Sequence, residues 1–444
     1  MKSSIKIGLI GLGTVGAGVV RILTEQRALI GRRLGCDLDL ARVADLDAGR
    51  ARGLRLGRGV FTNDAAQIIR DPKIDIVVEL IGGIHPAKEY LLSAMCAGKQ
   101  VVTANKALLA LHGEEIFAAA AAGGVSIGFE GSVCGGIPII RTLKEGFAAE
   151  NIRSIYGIVN GTCNYILSRM TEEELPFATV LAEAQAKGYA EADPTLDVGG
   201  GDSAHKLAIL TSLAFGTPVA LKEIYTEGIE RVGSSDIAYA DQFGYVIKLL
   251  AIAKHEDGAI EARVHPTMIP KGYLLATVGG VHNAVYLRGE SMGESMLYGR
   301  GAGGAPTGSA VVSDLIDIAR NLQTGATGRV PAEGFQLESR PPLPIKSIDQ
   351  IESRYYLRFM AQDRPGVLSK ISGVLGRHRI GIASVIQQGR KVGGSVPLVM
   401  MTYRAIERDM RAALAKLDRL NDVAEPVAVI RVEGRDEAPQ AQSK

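Results

Sequence analysis

IKIGLIGLGTVG, residues 5–16, decides how the first third of the chain folds. Its first half, IKIGLI, is an apolar run of the kind found in a strand buried on both faces of a parallel sheet. Its second half spaces Gly11, Gly13 and Gly16 as G-x-G-x-x-G, and GAGVVRILTEQ continues it at helical apolar spacing. Each glycine has a separate physical task. The first permits the tight turn, the second lets a pyrophosphate approach the backbone, and the third lets helix and strand sit close. Alone, such a pattern is a structural turn; between a strand and a helix, it predicts dinucleotide binding, with N–H groups of the helix end facing the phosphates.

Outward from this turn, DLARVAD (39–45), IDIVVEL (74–80), KQVVTAN (99–105) and VSIGFE (125–130) read as further strands. PAKEYLLSAMCAG (86–98) and KALLALHGEEIFAAAAAG (106–123) read as helices between them. Alternation at this spacing predicts an α/β, doubly wound Rossmann-type dinucleotide-binding domain over residues 1–130. Asp45, at the end of the second strand, is placed to hold a ribose diol. It lies further from the glycines than usual, with ALIGRRLGCD (28–37) as the inserted segment. Arg42, Arg50 and Arg52 are near enough to offer a 2′-phosphate site, so NAD and NADP both stay open.

At residue 131 the rhythm changes, and residues 131–304 are expected to form an α+β catalytic and dimerisation domain. A glycine loop and helix at about 305–321 are expected to pack back on the first domain. Residues 322–352, with SRPPLPIKS, read as a linker on an extended path. Residues 353–433 read as strand, helix, strand, strand, helix, strand, a complete βαββαβ unit. The polar tail, 434–444, is expected to be disordered.

Composition narrows the function. The 444 residues are 46% hydrophobic and 22% charged with a net charge of +2, which gives no electrostatic case for nucleic acid or an anionic membrane. Cys36, Cys96, Cys134 and Cys163 lack C-x-x-C spacing and read as reduced, mostly buried thiols. The N-terminus enters a strand and glycine turn directly, and runs such as FAAAAAGG and LVMM are too short to span a bilayer. A cytoplasmic enzyme is expected.

GYAEADPTLDVGGGDSAHK, residues 188–206, sets Glu191, Asp193, Asp197 and Asp202 ahead of Lys206 and runs straight into apolar KLAILTSLAF. A solvated acidic loop is the plain alternative. Asp202 is suited to cap a helix over 203–215, and Asp202 and Lys206, four apart, share one face. Across a cleft from a nicotinamide, such carboxylates would bind a substrate ammonium, and Lys206 would exchange a proton with a hydroxyl or carbonyl. Lys106, in TANKALL, stands just past the carboxyl end of a strand, where a helix start disfavours cations unless they face a ligand. Glu130 and the carbonyl-rich loop after it suit a hard cation, with an ordinary glycine-rich turn as the alternative.

GLGTVG, TANKALL, EGSVCGGIPII, GIVNGTCNYIL, GYAEADPTLDVGGGDSAHK and GRGAGGAPTGSAV together resemble the homoserine dehydrogenase family, in its monofunctional form with a C-terminal ACT regulatory domain. The resemblance runs almost end to end. It implies NAD- or NADP-dependent interconversion of L-homoserine and L-aspartate 4-semialdehyde, in threonine, methionine and isoleucine biosynthesis. It implies that Glu191, Asp197 and Asp202 bind homoserine with Gly188 close by, and that Lys206 moves the proton. Lys106 would touch cofactor and substrate. Leu12, Thr14 and Val15 would join the glycines around the dinucleotide, with Gly303 closing over it. The Glu130 carboxylate and the carbonyls of Val133, Gly135 and Ile137 would hold Na+. AQDRPGVLSKI resembles the first ACT turn, with Asp363, Pro365 and Gly366 at the effector and threonine as the expected inhibitor; a module that only dimerises is the alternative. The family also implies a homodimer or homotetramer. Two rival functions are a semialdehyde dehydrogenase with Cys134 or Cys163 as nucleophile, and a non-catalytic amino-acid sensor.

Overall fold

The structure, a computed structural model, describes residues 2–387, 389 and 394–434. The expected tail beyond residue 434 and residues 388 and 390–393 of the expected βαββαβ unit lie outside the described residues. Six strands open the chain: β1 (Ser4–Ile10), β2 (Asp37–Ala44), β3 (Phe61–Thr62), β4 (Ile76–Glu79), β5 (Gln100–Thr103) and β6 (Ile127–Gly128). They form one parallel sheet in the order β3-β2-β1-β4-β5-β6, the doubly wound arrangement in which a ligand lies at the carboxyl edge where the strand order reverses. Helices α1 (Thr14–Glu25), α2 (Arg27–Leu34), α3 (Ala66–Arg70), α4 (Ala87–Cys96) and α5 (Lys106–Ala122) flank it. The expected insertion 28–37 is largely α2, closed by Gly35 in the left-handed region. The predicted strand 125–130 shortens to two residues, because Glu130 already begins a 3-10 turn.

The glycine turn is as its spacing predicts. Gly11 has φ +104, and a β carbon there would lie 2.7 Å from the Leu80 carbonyl; one on Gly16 would lie 2.0 Å from the Gly11 oxygen. At Gly13 a β carbon would meet nothing within 4 Å. Two glycines are therefore demanded by protein packing, and the middle one faces open space.

The second part contributes β7 (Ile152–Ile158), β8 (Tyr225–Thr226), β9 (Tyr245–Glu256), β10 (Ala259–Pro270), β11 (His282–Gly289) and β12 (Gly293–Arg300). Its helices are α6 (Ile139–Arg141), α7 (Gly161–Glu173), α8 (Phe177–Ala186), α9 (Thr195–Val198), α10 (Gly201–Phe215), α11 (Ser234–Gln242) and α12 (Gly304–Thr324). Nearly every residue of α10 is buried, which is why KLAILTSLAF is apolar all round rather than along one stripe. Helix α12 returns to the first sheet: Val311, Val312, Leu315 and Ile318 join Ile5, Ile7 and Leu9 in one core. It reaches α1 over bare backbone, since a β carbon on Gly18 would lie 2.1 Å from the Gly304 oxygen.

The connector is pinned rather than loose. Ile345 bridges Ile260, and Thr217 donates to the Pro341 carbonyl at 2.6 Å. Beyond it come β13 (Glu352–Gln362), α13 (Val367–Arg377), β14 (Ile382–Gln387), β15 (Ser395–Thr402), β16 (Ala405–Ile406), α14 (Glu407–Leu417) and β17 (Ala428–Val432). Apart from the two-residue β16, the order is the predicted βαββαβ. Helix α13 buries Val367, Ile371, Val374 and Leu375, a one-faced spacing that covers this sheet. What the pattern of elements did not foretell is the seam: β17 pairs in parallel with β10, so the last unit continues the central sheet as β12-β11-β7-β9-β10-β17-β13-β15-β14. Ion pairs cross it: Glu433 receives Arg263 at 2.6 Å and Lys254 at 3.0 Å, and Arg431, which pairs within its own unit with Glu407 at 2.5 Å, meets Glu227 at 2.8 Å.

Candidate active site

Lys206 sits in the second turn of α10, with its residue only 8% exposed. Its ammonium donates to the Val159 carbonyl at 2.6 Å and to the Asp202 carboxylate at 2.7 Å. Asp202, 3% exposed, also receives Lys106 at 2.8 Å and the Asn160 amide at 2.8 Å. Asp202 is not the helix cap that its position suggested. Gly200, at φ +85, is the cap residue, and Asp202 falls inside the first turn, where three side-chain donors claim its oxygens. Burial works against its ionisation, yet Lys206 and Lys106 hold it well below the usual carboxylate range. Burial likewise opposes the Lys206 charge, and Asp202 outweighs it, keeping the lysine above its ordinary value. The resting centre is a charged pair with Lys206 protonated.

Asn160 organises the acidic face. It caps α7 by accepting from Cys163 N at 2.8 Å, and its amide donates to Asp197 at 2.7 Å as well as to Asp202. Asp197, half-buried on α9, also receives the Thr162 hydroxyl at 3.3 Å. Gly188, at φ +71, and Glu191 lie exposed on the loop before α9, and Glu191 is not drawn into this hydrogen-bonded cluster. Asn160 was missed from the sequence, although Asn at a strand–helix junction is a cap signal that could have found it.

Lys106 is the first residue of α5, three positions beyond β5, behind the cap residue Asn105. The glycine turn follows β1, two strands away, so at the usual strand spacing about 10 Å of sheet edge separates them. Between them, at the end of β4, stands Glu79, fully buried, accepting Thr103 Oγ1 at 2.7 Å and Ile81 N at 2.8 Å. Burial pushes its carboxyl up. A lone acid closing an apolar strand at the ligand edge was the signal for it, and it too was passed over. Leu12 donates its N–H to Asp45 at 2.6 Å, so that acid stands beside the turn as expected, with Arg50 3.5 Å away. Thr14 is exposed and Val15 half-buried at the start of α1, and Gly303, at φ +116, opens α12 opposite them.

Glu130 is buried, and its two oxygens accept the N–H groups of Ile140 at 2.8 Å and Arg141 at 2.9 Å. Val133, Gly135 and Ile137 are buried in the loop behind it. The cysteines divide, contrary to the expectation that most are buried: Cys134 and Cys163 are, Cys36 is half-buried and Cys96 is exposed. Burial pushes both inner thiols up, Cys163 strongly, the wrong direction for a nucleophile. In the last unit Gly366, at φ +89, starts α13 with Pro365 exposed and Asp363 half-buried beside it.

A glycine turn built for a dinucleotide, on a sheet whose Lys106 reaches a buried lysine–carboxylate pair, defines the chain as a dinucleotide-dependent oxidoreductase carrying an additional βαββαβ unit. Residues 11–130 match the homoserine dehydrogenase NAD-binding domain, 138–316 the homoserine dehydrogenase domain and 355–422 the ACT domain. The homoserine dehydrogenase of Pseudomonas aeruginosa is 46% identical over 97% of this chain and 99% of its own length. A crystal structure of the Thiobacillus denitrificans enzyme superimposes with a TM-score of 0.92 at 45% identity, over 97% of this chain and 98% of that one. A hyperthermophilic archaeal homoserine dehydrogenase solved in complex with NADPH matches 71% of this chain and 97% of its own, at 28% identity and a TM-score of 0.61. The chain belongs to the homoserine dehydrogenase family, and it is an oxidoreductase with a nicotinamide-dinucleotide domain and an ACT domain. Among the described residues no helix is long and apolar enough to cross a membrane.

Proposed function

We propose that the Lys206–Asp202–Lys106 centre interconverts L-homoserine and L-aspartate 4-semialdehyde, with NAD or NADP as hydride carrier. The observation that carries this is a buried lysine on a carboxylate it shares with a second lysine from the dinucleotide domain. When bound, the nicotinamide supplies or accepts the hydride. Lys206 donates its proton to the aldehyde oxygen in reduction and recovers it in oxidation. Asp202 and Asp197, with Glu191 and Gly188 on the adjoining loop, take the substrate ammonium and backbone, while Lys106 spans substrate and cofactor. Held in this geometry, the reacting carbon needs no further covalent help from the protein.

Glu130 with the carbonyls of Val133, Gly135 and Ile137 is read as a Na+ site: a buried carboxylate whose oxygens keep spare lone pairs fits a hard cation. Asp363, Pro365 and Gly366 are read as an amino-acid effector turn, with threonine the expected inhibitor. The enzyme is read as a cytoplasmic homodimer or homotetramer. One experiment tests the set: homoserine oxidation by purified protein with NAD and with NADP, in Na+ and K+ buffers, with and without threonine. No homoserine-dependent reduction of either cofactor would remove the central reading, while the ion and threonine arms decide the two accessory ones.

A further inference from the structure

Asn283, the second residue of β11, lies opposite the end of β7 and is 1% exposed. Its Nδ2 donates at 2.9 Å to the Val159 carbonyl, the same oxygen that accepts the Lys206 ammonium at 2.6 Å. Nδ2 also approaches the Cys134 sulfur, at 3.4 Å. These contacts fix the amide's orientation, because its reverse would set oxygen against oxygen. Oδ1 is consequently left buried without a hydrogen-bond partner among the described residues. On the other side of the amide lies the 301–303 loop between β12 and α12. A β carbon at Gly301 would fall 2.1 Å from Nδ2 and 2.2 Å from Cγ, so bare loop backbone lies against the amide face. Two residues on, Gly303 opens α12, and a β carbon on Gly304 would touch the Thr14 carbonyl at 2.7 Å.

One side chain therefore connects the lysine's anchor to the loop that borders the dinucleotide turn. We propose that Asn283 is a positioning residue for the reaction. It holds the Val159 carbonyl, and through it the Lys206 ammonium, in fixed relation to the 301–303 loop and the glycine turn. With Asn283 in place, the carbonyl has a single direction and so has the Lys206 N–H that points at it. A residue that merely filled space here would need neither a donor toward Val159 nor a buried orphan acceptor. This assignment rests on Lys206 being the proton-transfer group. The groups facing that lysine are Asp202, Cys134 and Asp197, with Lys106 behind Asp202.

The test measures kcat and KM for homoserine oxidation from about pH 6 to about pH 11.5, together with melting temperature. It compares wild type with Asn283→Asp, Gly301→Ala, the Gly301→Ala/Asn283→Ala double variant and Lys206→Ala. Asn283→Asp is nearly isosteric. It should lower kcat at least about tenfold and move the rising limb of the profile about one unit to higher pH, because the new carboxylate favours the ammonium. Gly301→Ala forces a methyl against the amide and should slow turnover and lower the melting temperature. In the double variant the collision is relieved, so the melting temperature recovers while turnover stays low. A wild-type profile for Asn283→Asp, or turnover that recovers with the melt in the double variant, reduces Asn283 to packing. If Lys206→Ala turned over normally, the acid–base reading itself would fail; if Lys206→Ala were slow and Asn283→Asp normal, only the positioning claim would.

Discussion

Asp202→Asn removes the charge that two lysines share while leaving its shape almost intact. Lys206 would keep one bond, to the Val159 carbonyl, and lose its carboxylate in a position where the residue is 8% exposed. Breaking a buried pair in this way costs about 3–5 kcal/mol, and the low end applies because Lys206 can shed its proton. Lys106, whose side chain is 38% exposed, adds little beyond that. A loss of about 3 kcal/mol lowers the melting temperature of a domain this size by about 6–12 °C. Asp202 is depressed in the folded state, so its contribution is present above about pH 4 and is lost as pH falls through the folded value. Lys206 is raised, so its contribution is present below about pH 10.4 and is lost as pH rises through the folded value. The gap in melting temperature between wild type and variant should thus be widest between those limits and narrow at both ends. With the carboxylate gone, the largest influence that raises Lys206 is lost and burial is opposed by Cys134 and Asp197 alone among the groups facing it, so the rising limb of homoserine oxidation should move to lower pH. Thermal melts across pH and a steady-state pH profile read both effects. A variant that melts with wild type at pH 7 and keeps its profile would refute the charged-pair account.

Iodoacetamide applied to the native enzyme at neutral pH should alkylate Cys96 and leave activity unchanged, because Cys134 and Cys163 are buried thiols pushed up in pKa; inactivation that tracks modification of either inner thiol would revive a covalent mechanism. Gly18→Ala should lower the melting temperature and weaken nicotinamide binding together, since its methyl would collide with the Gly304 carbonyl where α12 crosses α1; a fluorescence titration equal to wild type would contradict it. Glu433→Gln should cost about 3 kcal/mol by leaving Arg263, 1% exposed, with the His265 ring at 2.7 Å and, as its remaining carboxylate among the described residues, Glu261 at 3.4 Å, and should speed proteolytic cleavage of the connector at 322–352; unchanged cleavage would show that the β10–β17 seam does not depend on that pair.

The parts legible in the sequence are those whose physics is local. G-x-G-x-x-G announced itself because strand, turn and helix follow one another within a few residues, and Gly11 and Gly16 are sterically compelled within that short span. The βαββαβ unit was legible from alternating patterns alone. Asp202 and Lys206 were legible as partners because a helix brings residues four apart together. What escaped depends on distant chain segments. Nothing local to VAVIRV says that its strand will lie beside β10, about 160 residues earlier. Glu79 and Asn283 look like ordinary residues near the end or start of a strand, and only the fold buries them against Thr103 and the Val159 carbonyl. Asp202 was misread as a cap because local propensity favours that role, whereas Lys106, Lys206 and Asn160 make stronger claims on its oxygens.

The most direct measurement sets the turnover of Lys206→Ala against its grip on the cofactor, using homoserine oxidation rates and a separate nicotinamide binding titration. If this ammonium carries the proton, the rate should drop by a factor of about 10²–10⁴ while cofactor affinity stays within about threefold of wild type. A near-normal rate, or affinity that collapses in step with it, would contradict the assignment of residue 206 as the acid–base group.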